Sequence, residues 1–395
     1  MSNDNTTLSP FGEIEIPDVN VDANIFNTKK TDYGNVQLFF GQEPGLLDSI
    51  HKFYPKLWRL FKKLRKQDWD EEEFDFSLCN VEFKTCPPHV YERMINTLIW
   101  QWEQDSVASR SIAAVLAPFC SSVEVWVPYV RINDNENVHG LTYSEIIKGS
   151  FDNPDEVLVS LLEKVEPMRR LETISKIFSK TFTASHKYAL KLIEDNQDLR
   201  NTVYMFLVGM YLMERVQFMA SFAETFDICR KGYFPPIRAA VEKIAMDEFE
   251  IHAQFGQEVL RIVLAQPDGM TFYAECRDQI VAVINELFRS EITWLKWLRR
   301  DGDHEGFMTY DESVSWLEFN CTAAAVFLGL NEEEVEFNFV TKNPLPWMKS
   351  HMNLSDNQAS PQEEDANAYM VNIIRPDDMG KVFEFKHPAL AFMQN

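Results

Sequence analysis

Two histidines in this sequence follow a glutamate at helical spacing. Glu136-Asn-Val-His139 is a Glu-x-x-His pair, and in Asp247-Glu248-Phe-Glu250-Ile-His252 the residue Glu248 precedes His252 by four. Separations of three or four put two side chains on one face of an α-helix, as a metal ion held from a single helix requires. Tyr143 follows His139 by four and shares its face. Two more acids interrupt apolar stretches: Asp105, after Ile99-Trp100-Gln-Trp102, and Glu214, between Tyr211-Leu212-Met213 and Val216.

Glu214 is the most telling of these. From Val203 to Phe222 its helix is apolar nearly all round, and such a helix is buried. A buried carboxylate must be paired, protonated or bound to a metal. Arg110 is a candidate partner; a metal is the alternative. Phe218 and Phe222, four and eight residues on, give the carboxylate an apolar neighbourhood on its own face. One Glu/His pair alone is weak evidence. Two pairs on separate helices, plus single acids on two more, form a constellation of four to five carboxylates and two imidazoles. That is the two-metal arrangement of ferritin-like bundles. Oxygen and nitrogen donors without thiolates suit iron or manganese rather than structural zinc.

The elements that must position these residues are helices. Gly (14) and Pro (18) are few for 395 residues, too few for a many-stranded sheet with its frequent turns. Apolar residues from Leu46 to Leu64 recur at helical spacing and predict a helix over 46–66. Residues 67–88 break up and end at Pro87-Pro88. Further helices are expected over 90–115, 123–147 with a distortion near Pro128, 156–193, 199–229, 235–265, 271–299 and 311–328. From Asn343 the chain turns irregular, and 355–368 reads as a mobile linker. The expected organisation is a flexible N-terminal arm (1–35), an all-α, ferritin-like helical domain with a di-metal carboxylate site (36–350), and a mobile C-terminal tail (351–395).

Bulk properties exclude several classes. A formal net charge of -23 repels phosphate backbones, so nucleic acid is not the expected partner. Six cysteines without a C-x-x-C pair predict neither a disulfide framework nor a zinc site, and a cytoplasmic setting. Met1 to Asn20 lacks the apolar core of a signal peptide. The most apolar run, Val203 to Met213, is too short to span a bilayer, so no membrane is expected. There is no glycine-rich phosphate loop.

The motifs taken together resemble the small, radical-generating subunit of class I ribonucleotide reductase, over about residues 36–370. Asp105-Ser-Val-Ala-Ser-Arg110-Ser resembles that family's first ligand helix. Glu136-Asn-Val-His139-Gly-Leu-Thr-Tyr143 resembles the second, and Leu212-Met-Glu214-Arg-Val-Gln-Phe218-Met-Ala-Ser-Phe222 the third. Asp247-Glu248 to His252 resembles the fourth, and Lys342-Asn-Pro-Leu-Pro-Trp347 the segment after the helical core.

The resemblance implies two metal ions per chain, iron foremost, with manganese or a mixed pair as alternatives. Their ligands would be Asp105, Glu136, His139, Glu214, Glu248 and His252. It implies activation of dioxygen, a stable radical on Tyr143, and a pocket lined by Phe218, Phe222 and Ile244 that keeps it dry. It implies transfer by His139, Asp247, Trp69 and, in the tail, Tyr369 to a separate large subunit, which reduces ribonucleoside diphosphates. It also implies a homodimer, with the tail docking on the large subunit. The alternative is a ferritin-like di-iron oxidase or iron-storage protein, which needs neither Tyr143 nor a tail.

One departure matters. The family carries Glu-x-x-His on the fourth helix too, whereas here the Glu248–His252 interval is one residue longer. A π-bulge would let both point inward. Glu250 is the alternative ligand, but it faces away if the helix is regular.

Overall fold

The computed structural model describes residues 6–9, 12–15, 36–42, 47 and 49–352. Near the start, β1 (Thr6–Ser9) and β2 (Gly12–Glu15) pair antiparallel. The six candidate ligands are all carried by helical segments. The first helix, α1, runs from Pro55 to Leu64, not from residue 46. Proline lacks the N–H that an interior helical position must donate and is accommodated at a helix start. The described residues upstream of it, 47 and 49–54, are not helical.

Residues 71–85 fold into two short 3-10 turns and α2 (Cys79–Thr85). Pro88 then opens α3 (Pro88–Leu116). Ser122 caps α4 (Val123–Ser150), its hydroxyl accepting the Glu124 N–H at 3.1 Å. Pro128 lies inside α4. The single stretch expected over 156–193 is two helices, α5 (Pro154–Leu162) and α6 (Val165–Ala189). Asn196 caps α7 (Gln197–Leu212), which runs through a wide five-residue π-turn, Met213–Gln217, into α8 (Phe218–Cys229). Pro235 opens α9 (Pro235–Asp247), which continues through a second π-turn, Glu248–His252, into α10 (Ala253–Leu264). Next come α11 (Pro267–Leu298) and α12 (Tyr310–Phe327), the latter opened by a Thr309/Glu312 capping box. A single turn, α13 (Met348–His351), ends the described part.

The bundle closes around four long units. α3 packs on α4 and α8, α8 on α9, α9 on α4, and the two π-turns pack on each other. α6 and α11 lie against α3 and α7, α12 covers α8, and α1 covers α4 and α10. α7 from Val203 onward and all of α8 are buried, as the nearly all-round apolarity of Val203–Phe222 requires. No helix among the described residues is long and apolar enough to cross a membrane.

Candidate metal centre

Each of the four units delivers acids to one buried point. α3 brings Asp105; α4 brings Glu136 and His139, three apart on one face. The first π-turn brings Glu214. The second brings Glu248 and His252, its first and last residues. All six are at most 3% exposed. Asp105, Glu136, His139 and Glu248 offer ligand atoms within 4.8 Å of one another, and so do Glu136, Glu214, Glu248 and His252. The two groups share Glu136 and Glu248, so the cluster has two adjacent positions with two carboxylates common to both.

The second π-turn answers the spacing problem of the fourth helix. The Ala253 N–H reaches back five residues to the Glu248 carbonyl. The extra residue is absorbed in the wide turn, and His252 Nδ1 lies 2.9 Å from Glu248 Oε2 and 3.0 Å from Glu136 Oε1. Glu250 points elsewhere, into an ion pair with Lys63. The first π-turn, where the Phe218 N–H reaches the Met213 carbonyl, had no signal in the sequence. Arg110, considered as a partner for Glu214, is exposed on α3.

The donor set fits divalent metal ions by a simple comparison. Glu224, Asp227 and Glu291 are also fully buried acids, and each meets arginine: Glu224 meets Arg93 and Arg299, Asp227 meets Arg93 and Arg230, and Glu291 meets Arg170. The cluster's four carboxylates meet no Lys or Arg among the described residues. Seven of their oxygens, and His139 Nδ1, have no hydrogen-bond partner. His139 Nδ1 lies 2.9 Å from Glu248 Oε1. Buried acceptors left without donors are costly. Four carboxylates match the charge of two divalent cations.

Without cations the cluster holds protons in their place. Burial, then the neighbouring carboxylates, pushes Asp105 and Glu214 well above the usual carboxylate range. Burial alone would also raise Glu248, but the nearby His252, Glu214 and His139 outweigh it and hold Glu248 well below that range. For the histidines, burial opposes the charged form and is outweighed. Asp247, Glu136 and Glu248 lift His139 well above its ordinary value, and Glu248 and Glu136 lift His252 to about 10.

Behind the cluster lies a hydrogen-bonded layer. His139 Nε2 is 3.3 Å from Asp247 Oδ2, which also accepts from the Trp69 indole at 2.8 Å and from Asn135 Nδ2 at 3.1 Å. Trp69 is buried and stacks on His139, ring centroids 5.9 Å apart. His252 Nε2 faces the Asn135 carbonyl oxygen at 2.9 Å. That oxygen can only accept, so Nε2 carries the proton and Nδ1 is turned to the cluster. Asn135 thus ties the outer nitrogens of both histidines together through Asp247. Sequence reasoning missed it. Its one signal was position: one turn before His139 and next to Glu136.

Tyr143 is buried, and its hydroxyl has no hydrogen-bond partner. Burial first, then Asp105, Glu248 and Glu136, raises the phenol well above its ordinary value. Phe218 and Phe222 stack at 5.7 Å on α8, and Ile244 lies on α9 one turn before Glu248; all three are fully buried. Tyr369 lies outside the described residues.

Residues 51–336 match the family described as ribonucleotide reductase, small chain. The chain is 24% identical over 377 residues to the ribonucleoside-diphosphate reductase subunit beta of Buchnera aphidicola subsp. Schizaphis graminum, covering 91% of this chain and 98% of that one. In fold it is similar to a ribonucleotide reductase R2 subunit from Clostridium botulinum (TM-score 0.71, 16% identity), covering 85% of this chain and 99% of that one. It is similar also to a dimanganese(II) protein of Streptococcus sanguinis (TM-score 0.59, 13% identity), covering 74% and 97%. The all-α, ferritin-like bundle expected from the sequence is the architecture they share. A family match over most of the chain, to relatives whose length it covers almost entirely, leads to one assignment: the chain belongs to the ribonucleotide reductase small-chain family and is the small subunit of that oxidoreductase.

Proposed function

We propose that this small subunit uses two metal ions to make and store a tyrosyl radical on Tyr143. The radical is handed to a large subunit that reduces ribonucleoside diphosphates. The observation that carries the reading is the pair of overlapping carboxylate–histidine groups without a counter-cation, joined through His139 and Asp247 to Trp69. Asp105 and His139 would hold one ion, Glu214 and His252 the other, with Glu136 and Glu248 common to both. Iron is the first candidate; manganese or a mixed pair has the same ligand types. Bound metal supplies the redox chemistry with dioxygen.

The chain's own residues supply the rest. The buried Tyr143 phenol has no acceptor to draw its proton away and is raised well above its ordinary value, so it stays protonated until it is oxidised. Phe218, Phe222 and Ile244 would exclude water and reductants from it. Asp247 fixes the Trp69 indole by its N–H and sits against His139, which gives an ordered route outward. Tyr369 and the segment 351–395 would continue that route and dock on the large subunit. A homodimer and a cytoplasmic setting complete the reading; the six cysteines are free. The family assignment leaves the iron-storage alternative without support, and storage gives the Trp69–Asp247–His139 chain no task.

The test is to load the metal-free chain with ferrous iron in air and record its EPR spectrum beside a metal count. Two irons per chain and a tyrosyl signal are expected. Iron uptake with no protein radical would overturn the radical function, and no uptake would overturn the metal site.

A further inference from the structure

The first π-turn carries Glu214 and has no second ligand to hold its shape, unlike the turn that carries both Glu248 and His252. Wide turns are rare, and unusual backbone persists only where surrounding structure enforces it. A buried guanidinium bonds to the end of this turn. Arg170, on α6, is 1% exposed. Its Nη2 donates to the backbone carbonyl of Gln217, the last residue of the turn, at 2.9 Å, and its Nη1 donates to Ser221 Oγ at 2.9 Å. Its Nε and Nη2 donate to Glu291 Oε1 and Oε2 at 2.7 and 2.6 Å. The Gln217 side-chain amide donates to Glu291 Oε1 at 3.0 Å and to the Arg170 carbonyl at 3.3 Å. The guanidinium itself lies between two indoles, 3.5 Å from the Trp100 ring centroid and 3.7 Å from that of Trp294.

Only a planar fork fits this place. Its faces take the indoles while its edges bond in plane, and a lysine ammonium would lose most of those bonds. We propose that Arg170, backed by Glu291, is a positioning residue that locks the Met213–Gln217 turn and so sets where the Glu214 carboxylate stands. The inference rests on the two-metal reading above. It makes a selective claim, because Glu214 belongs to only one of the two overlapping ligand groups. Loosening the turn weakens one metal position and leaves the Asp105–His139 position as it was.

The test is a Mn(II) titration of the metal-free full-length chain, with free ion counted by solution EPR and melting followed in parallel. The parent should bind two equivalents. Arg170→Lys keeps a cation between the indoles without the fork. Glu291→Gln keeps the shape but weakens the clamp and is the milder change. Each should bind one equivalent as the parent does and the other roughly 10- to 100-fold more weakly, the usual effect of removing a ligand's support. The isotherm should match that of Glu214→Gln. Two equivalents at parental affinity in both variants would overturn the inference alone. So would equal weakening of both equivalents in step with a lower melting temperature, the mark of a general packing role. A parent that binds fewer than two ions overturns the two-metal reading and this inference with it.

Discussion

Asp247 shows how much one buried oxygen can organise. Its Oδ2 takes the Trp69 indole N–H and an Asn135 N–H and faces His139 Nε2. The imidazole, the indole and the carboxylate are thereby fixed relative to one another, and His139 can turn only its Nδ1 to the cluster. Two substitutions separate making the radical from moving it. Tyr143→Phe removes a hydroxyl that bonds to nothing, so folding and metal uptake should persist while the tyrosyl EPR signal disappears; an unchanged signal would place the radical elsewhere. Trp69→Phe loses one hydrogen bond to a carboxylate, worth about 1.5–3 kcal/mol. It should keep both metal and the radical signal yet lose turnover with the large subunit. Turnover at the parental rate would remove Trp69 from the route. The residues that converge were legible because their types are rare in apolar helices and their spacings share a face. Asn135 was not, since a single amide carries no signature of what it will bond, and Arg170 is one arginine among many until packing gives it its neighbours.

The two π-turns differ in how far a sequence can reveal them. At Glu248–His252 a familiar spacing is stretched by one residue, and the misfit is visible. At Met213–Gln217 the surrounding stretch, Val203 to Phe222, is apolar nearly all round, so a shift of helical phase leaves no trace in the pattern. Helix boundaries were lost for a similar reason: periodicity alone carried the first helix upstream through Pro55 and joined α5 to α6. The visible turn yields a test. A wide turn accommodates one additional residue while keeping the helices on either side in phase. Deleting Glu250, whose side chain points out to Lys63, should therefore restore an ordinary helix with α9 and α10 still facing the core. The variant should fold cooperatively, lose no more than about 1 kcal/mol for the partly exposed ion pair, and still take up two metals. If the deletion instead unfolds the chain, as it would in a helix without an inserted residue, the insertion account is wrong. Glu250→Ala should leave metal content unchanged, and a loss of one equivalent would make Glu250 a ligand.

At the scale of the whole molecule, the bundle and the segment proposed to dock should be separable. Removing residues 355–395 should leave metal uptake and the tyrosyl signal intact and abolish turnover with the large subunit; full turnover by the truncated chain would show that docking lies elsewhere. The bundle's stability should in turn be tied to pH and metal together. His252 is lifted from 6.5 to about 10 by its carboxylate neighbours. The stabilisation this represents in the metal-free chain is fully present below pH 6.5 and fades as pH rises through 10. Asp105 and Glu214, raised by burial and by one another's neighbours, act with the same sign, since each must give up a proton it holds more tightly folded than unfolded. Glu248, held low, acts oppositely, and its stabilisation is lost only in acid. Between pH 6.5 and 10 the metal-free chain should therefore melt at progressively lower temperature. Metal ions compete with those same protons, so their affinity rises over the same interval. At a fixed free concentration of Mn(II), a hundredfold excess over the dissociation constant is worth about 2.7 kcal/mol per site, and that excess grows with pH. The gap in melting temperature between loaded and metal-free chain should widen steadily from pH 6.5 upward, with protons released on binding in buffered titrations. A gap that stays constant, with no proton release, would mean that the six buried side chains are not where the metal binds.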